Sequence, residues 1–161
     1  MPTQVIRLQD LPFVLRRHLA RDRKGLVKVA GDTMELAREY ARDMAEDKDL
    51  VFSGDYKRGF SVGRFPMGAV LENVSAYAHV IEYGRRPGAR MPPHAPIYQW
   101  VTGKLGLEGR AAKAMTWHVR KQIHLRGMPP HRIMQFTSAW ALRIFRVKAK
   151  QYLRTRGGTG F

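Results

Sequence analysis

The chain has 161 residues, no cysteine, and a formal net charge of +16 at pH 7. That length suits one domain with a real core, and the missing cysteine excludes disulfides and thiolate metal sites and fits a reducing cytoplasm. The opening stretch "MPTQVIRLQD" holds no signal-peptide core, and no apolar run nears the roughly 18 residues of a membrane span, so a soluble protein with no membrane partner is expected.

In chain order, "DLPFVLRRHLARD" predicts a short helix with Leu11, Val14, Leu15 and Leu19 on one side. Residues 1–24 then read as an arm carrying this helix. "KGLVKVAGDTMELAREYARDMAED" predicts a long helix. Leu26, Val29, Ala30, Thr33, Leu36, Ala37, Tyr40, Ala41 and Met44 recur in it at helical spacing. Gly31 costs its middle about 1 kcal/mol relative to Ala, which leaves a break there open. "SGD" signals a turn. The runs Tyr56–Val62 and Ala69–Val74 follow as a β-hairpin with a mobile tip at Gly63–Gly68. "AYAHVIEYG" is a short helix or turn stopped by its glycine.

"RRPGARMPPHAP" is a long basic loop, and "IYQWVTGKLGL" a short helix. "EGRAAKAMTWHVRKQIHLRG" predicts a helix with Ala112, Met115, Val119 and Ile123 on its apolar line and Gly127 as the stop. After "MPPHR", a second strong helix is expected on Ile133, Phe136, Trp140, Ile144, Val147 and Leu153, before a frayed "GGTGF" at 157–161. Together these predict a single α+β domain. It has a long N-terminal helix, a small antiparallel sheet with a β-hairpin, and two C-terminal helices.

The charge is unevenly placed. Residues 1–56 carry ten Lys/Arg and ten Asp/Glu, whereas residues 57–161 carry nineteen Lys/Arg against Glu72, Glu82 and Glu108. Such a field attracts polyanions: DNA, RNA, an acidic protein face or anionic lipid. Within it, Arg143, Arg146, Lys150 and Arg154 step by three, four and four, so they share one face of the last helix. Unopposed, these four repel one another unless a polyanion or a partner's carboxylates compensate. Arg110, Lys113, Arg120, Lys121 and Arg126 decorate the preceding helix. The bland alternative is a solvated basic surface.

Signals for chemistry are weak. His79 and Glu82 could share a helical face, but a general acid–base pair needs convergent groups in a pocket, and acids are scarce beyond residue 56. Asp47, Asp49 and Asp55 read as a solvated face and turn. No Walker loop is present, and Ser53, Ser61, Ser75 and Ser138 lie outside any nucleophile-elbow context. His118, His124 and His131 lack the four-residue spacing that pairs imidazoles on a helix. No enzyme activity, metal or cofactor is therefore expected. Trp100, Trp117, Trp140, Phe136 and Phe145 interleave with arginines, which would suit base stacking. Phe136 and Trp140, however, fall on the predicted apolar line, and Trp100 and Trp117 suit a neighbouring subunit.

The stretch "YAHVIEYGRRPG", Tyr77–Gly88, admits three readings: a catalytic acid beside a histidine, a phosphate-gripping glycine loop, or a structural corner presenting a basic loop. A family resemblance favours the last. "TMELAREYARDMA", "SGDYKRGFSV", "AVLENVSAYAHVIEYGRRP" and "GMPPHRIMQFTSAWAL", in that order and spacing, resemble the minor tail-component and tail-completion family of long-tailed bacteriophages. That family pairs a long N-terminal helix with a "TG-L--S" turn, a "YA--VE-G" corner and a late proline segment opening a C-terminal helix. Ser53, Gly54 and Tyr56 stand at the turn, Tyr77, Ala78, Glu82 and Gly84 at the corner, and Met128, Pro129 and Pro130 at the late segment. The likeness covers about residues 25–150. The chain departs from the pattern in lacking the late "PF" and in carrying a helical insertion at 94–126.

The resemblance implies a non-catalytic virion protein of the phage neck, assembled in the host cytoplasm. It would form a ring, commonly six-fold, between the head connector or adaptor and the tail terminator or tube, with genome DNA crossing the lumen. Tyr77 and Ala78 would pack, Glu82 would make a fixed polar contact with an arginine or backbone N–H groups, and Gly84 would turn the chain. Arg85, Arg86 and Arg90 would project towards a neighbour or the DNA channel, as would Arg143, Arg146, Lys150 and Arg154. The competing expectation is a stand-alone, sequence-independent nucleic-acid-binding protein.

Overall fold

A computed structural model describes residues 3–6, 22–48 and 54–156. The elements run β1 (Thr3–Ile6), α1 (Arg23–Asp47), α2 (Asp55–Arg58), β2 (Phe60–Phe65), β3 (Gly68–Asn73), α3 (Ala78–Tyr83), α4 (His94–Leu105), α5 (Gly109–Arg126) and α6 (Ile133–Arg156). The fold is α+β and mostly helical: a long N-terminal helix, a small antiparallel sheet with a hairpin, and C-terminal helices. The expected helix over 10–22, Ser53, Asp49 and the 157–161 tail lie outside the described residues, apart from Asp22 just ahead of α1.

The sheet order is β1-β3-β2, both pairings antiparallel. Its hairpin is displaced from the predicted one. Tyr56 belongs to the helical turn α2, not to a strand, and β2 runs on to Phe65. Phe65 pairs with Gly68, so the turn is only Pro66–Met67. Proline pre-sets φ near −65° for the first central residue of a type I turn and glycine suits its last position, which places the turn at Pro66–Met67 rather than over the broad tip expected at 63–68. β1 is a further correction: residues 3–6 are no loose arm but pair with β3, from Thr3 opposite Glu72 to Ile6 opposite Ala69. A four-residue strand held by partners over sixty residues away leaves little local signal.

α1 and α6 form the helical layer beneath the sheet, and theirs is the most extensive contact between elements. Small residues make it: Ala30, Ala37, Ala41 and Ala45 from α1, and Ala141 and Ala149 from α6, are all buried in one cluster with Phe60, Leu71 and Phe145. Small side chains at a crossing let two helix axes approach. α1 is unbroken at Gly31. A Cβ there would meet the Arg64 guanidinium at 3.0 Å, so the glycine leaves a notch for that side chain to cross the helix towards Asp32 and Glu35.

The predicted apolar lines of the C-terminal helices hold in part: Ala112, Val119 and Ile123 of α5 pack in a small core, and Ile133 and Leu153 of α6 are buried, but the middle of the α6 line is shifted. On α6 the buried row is Met134, Thr137, Ala141, Phe145 and Ala149, while Phe136 and Val147 are 50% and 60% exposed. Trp140 is half-buried and stacks on Tyr40 with centroids 4.6 Å apart. On α5, Thr116 is buried and Met115 exposed; on α1, Met34 is buried and Leu36 exposed. The insertion span is occupied by α4 and α5, which pack on each other around Ile97, Val101 and Ala112. This second small cluster includes Trp100 at its edge.

Candidate functional site

The corner forms because Tyr77 starts α3 and Gly84 ends it. Ala78 and Ile81 are buried in the main core, and Tyr77 packs against it. Glu82 is also buried, at 4% exposure. Its two carboxylate oxygens accept hydrogen bonds from the backbone N–H groups of Met134 (2.8 Å) and Gln135 (3.0 Å). These are second and third residues of α6, whose first N–H groups have no intrahelical acceptor. Glu82 therefore caps a helix that begins fifty residues later, and its charge lies at the positive end of that helix.

Gly84 has φ +75°, and a Cβ there would lie 2.6 Å from the Met128 carbonyl oxygen. Only glycine permits both the left-handed backbone and this approach. Arg85 and Met128 then exchange two backbone hydrogen bonds of 2.9 Å, and His131 N–H donates to the Ile81 carbonyl. The corner and the late proline segment are thus stitched together, main chain to main chain.

The basic loop does not simply project. Gly88 N–H donates to the His124 carbonyl, the His124 ring lies 2.6 Å from the Ala89 carbonyl, and Arg120 donates to the Pro92 carbonyl. Proline removes donors, so side chains of α5 supply what tethers this loop. Arg86 and Arg90 remain exposed, but Arg85 is half-buried. Arg85 lines a cavity of about 90 Å³ between the corner and the α4–α5 pair. Tyr56, Tyr77, Ile81, Ile97 and Met128 are among its other walls. The Arg85 Nε and the Tyr56 hydroxyl are buried without hydrogen-bond partners among the described residues. Burial, and then the Glu82 charge, push the Tyr56 phenol above its ordinary pKa.

Arg143, Arg146, Lys150 and Arg154 are all exposed, on the side of α6 opposite its buried row. None forms an ion pair with a described residue. The ion pairs of the described residues lie instead on α1 and its surroundings, for example Arg38–Glu35, Arg42–Glu39 and Lys57–Glu46. Phe136 and Val147 fall seven residues before and four after Arg143, on the same outer side. α5 has a comparable outer face. Arg110, Lys113, Trp117 and Lys121 are exposed along it, and the Lys121 ammonium sits 4.9 Å from the Trp117 ring centre. Sequence spacing was enough to find the α6 stripe. The Trp117–Lys121 pair, the cavity, and Tyr56 as a wall of it were missed, because none has a local pattern.

The remaining candidates are dispersed. Asp55 pairs with Arg58, Ser61 donates to Glu72, and Ser138 to the Gln135 carbonyl. His79 tilts against Tyr83 on the outer side of α3, while Glu82 points inward, so the two do not converge. Among the described residues no group of three His, Asp or Glu is placed to hold a metal. Nor is any described helix long and apolar enough to cross a membrane. Comparison with protein families, characterised proteins and solved structures returned no match.

Proposed function

We propose that this chain is a structural protein of the neck of a long-tailed bacteriophage, acting by ring assembly rather than by catalysis. The observation that carries this reading is the convergence at Glu82. Tyr56 of the "SGDY" turn, the "YAHVIEYG" corner and the "GMPPHR" segment are far apart in sequence, yet they meet around one buried carboxylate and one cavity. These are the segments on which the family resemblance rests, and their joint packing gives that order and spacing a physical reason. The unpaired cations of α6 suit a second part of the reading, a positive lumen through which DNA slides. Contacts with phosphates carry no base information, so such a surface would hold DNA without reading it. The proposed neighbours are the head connector and the tail terminator or tube, and the proposed location is the virion.

The test is electron microscopy and light scattering of the purified protein, read beside duplex DNA binding across a salt series. Rings with an open centre are expected. A monomer at every concentration, with steeply salt-dependent affinity, would instead identify a stand-alone nucleic-acid binder.

A further inference from the structure

We infer that the cavity beside Arg85 is a binding site for a short branched aliphatic group bearing a carboxylate. Its volume is about 90 Å³, and its walls are mainly apolar, with Val80, Ile81, Ile97, Ile123 and Met128 beside three prolines. A dry apolar cavity of roughly 150 Å³ accepts benzene, so this one suits a group of isobutyl size. The groups at these walls without a partner among the described residues are the Tyr56 hydroxyl and the Arg85 Nε.

Those two groups define the polar end of the ligand. Both are donors, and a buried donor without an acceptor is rare in a folded protein. The Arg85 side chain makes no hydrogen bond or ion pair with any described residue, although its main chain is fixed by the Met128 pairing. Its Nε is therefore a buried donor at the cavity wall without an acceptor among the described residues. A carboxylate matches the planar donor geometry of arginine. A phosphate fits less well, since no second cation lines the walls. The carboxylate lies with Arg85 and Tyr56, and the aliphatic end against the apolar walls.

The same chemistry is carried by a free short-chain acid or by the terminal leucine of a peptide. Backbone amide shifts at the cavity walls report binding of 3-methylbutanoate, the neutral 3-methylbutanamide, and the peptide acetyl-Gly-Gly-Leu with a free carboxylate. One acid, free or peptidic, should bind at least about tenfold tighter than the amide, the least that a charge-assisted hydrogen bond contributes. Arg85→Met should remove that preference without lowering the melting temperature, because the side chain has no hydrogen-bond or ion-pair partner among the described residues. Val80→Phe should block both acids by filling the cavity. Tighter binding of the peptide would mark a protein chain end as the source, and tighter binding of the free acid a small molecule. Absence of shifts with both acids, or equal affinity for acid and amide in the unaltered protein, would overturn the inference. Neither result depends on whether rings form, so the neck reading stands or falls separately.

Discussion

Glu82→Ala is expected to destabilise the protein by about 3 kcal/mol. Loss of a helix cap costs about 1–2 kcal/mol, and a partly buried charge at a helix terminus contributes up to about 2 kcal/mol more. Both apply, because the carboxylate is buried and engages two N–H groups at the start of the 24-residue α6. The variant would leave the buried Met134 N–H without an acceptor. For a chain of this size each kcal/mol shifts the melting temperature by about 2–4 °C, so a fall of roughly 6–12 °C is expected. Glu82→Gln keeps one acceptor oxygen and should lose about half as much. Urea midpoints provide the free energy, and hydrogen exchange at Met134 and Gln135 localises it. Glu108→Ala, at an exposed acid that makes no side-chain cap, is the control. A loss below about 1 kcal/mol with unchanged exchange at those two amides would refute the capping argument.

Gly84→Ala should cost well over 1 kcal/mol, since a Cβ would strike the Met128 carbonyl, whereas Gly88→Ala meets nothing within 4 Å and should incur only the cost of its positive φ, about 1 kcal/mol; paired urea melts compare them. Phe145→Ala should cost about 3–5 kcal/mol and Phe136→Ala far less, as one ring is buried and the other 50% exposed; the reverse order in denaturation would mean that α6 is rotated. Arg146→Glu with Lys150→Glu should change stability by only about 0.5 kcal/mol yet weaken duplex DNA binding or lower the ratio of joined to unjoined particles in complementation; normal joining with a normal melt would leave the stripe merely solvated. The His131 pKa lies below its ordinary value because of burial and then the Lys48 charge. The unfolded chain thus takes up this proton more readily, so stability should be full above about pH 6.5 and fall as pH drops through the lowered value; His131→Asn should flatten that slope in melts at graded pH.

Local pattern determined much of this protein. Helical periodicity marked α1, α5 and α6, and steps of three and four put Arg143, Arg146, Lys150 and Arg154 on one side of α6 before any packing was known. Turn residues marked a hairpin, although not its register. Tertiary structure decided which stripe of α6 is buried. The helix carries one stripe through Phe136, Trp140, Ile144 and Val147, and beside it another through Met134, Thr137, Ala141, Phe145 and Ala149. Hydrophobicity favours the first. Packing against Ala37, Ala41 and Ala45 of α1 selects the second, because Thr137, Ala141 and Ala149 let the helices approach while Met134 and Phe145 fill the core beside them. It also decided what Glu82 does. An acid in an apolar run demands a partner, but its partners are two backbone N–H groups more than fifty residues away. Nothing local specifies a helix terminus arriving from that distance. The close passage at Gly84 and Gly127, where the facing carbonyls leave no room for a Cβ, and the Arg85–Met128 backbone pair hold the two segments in register.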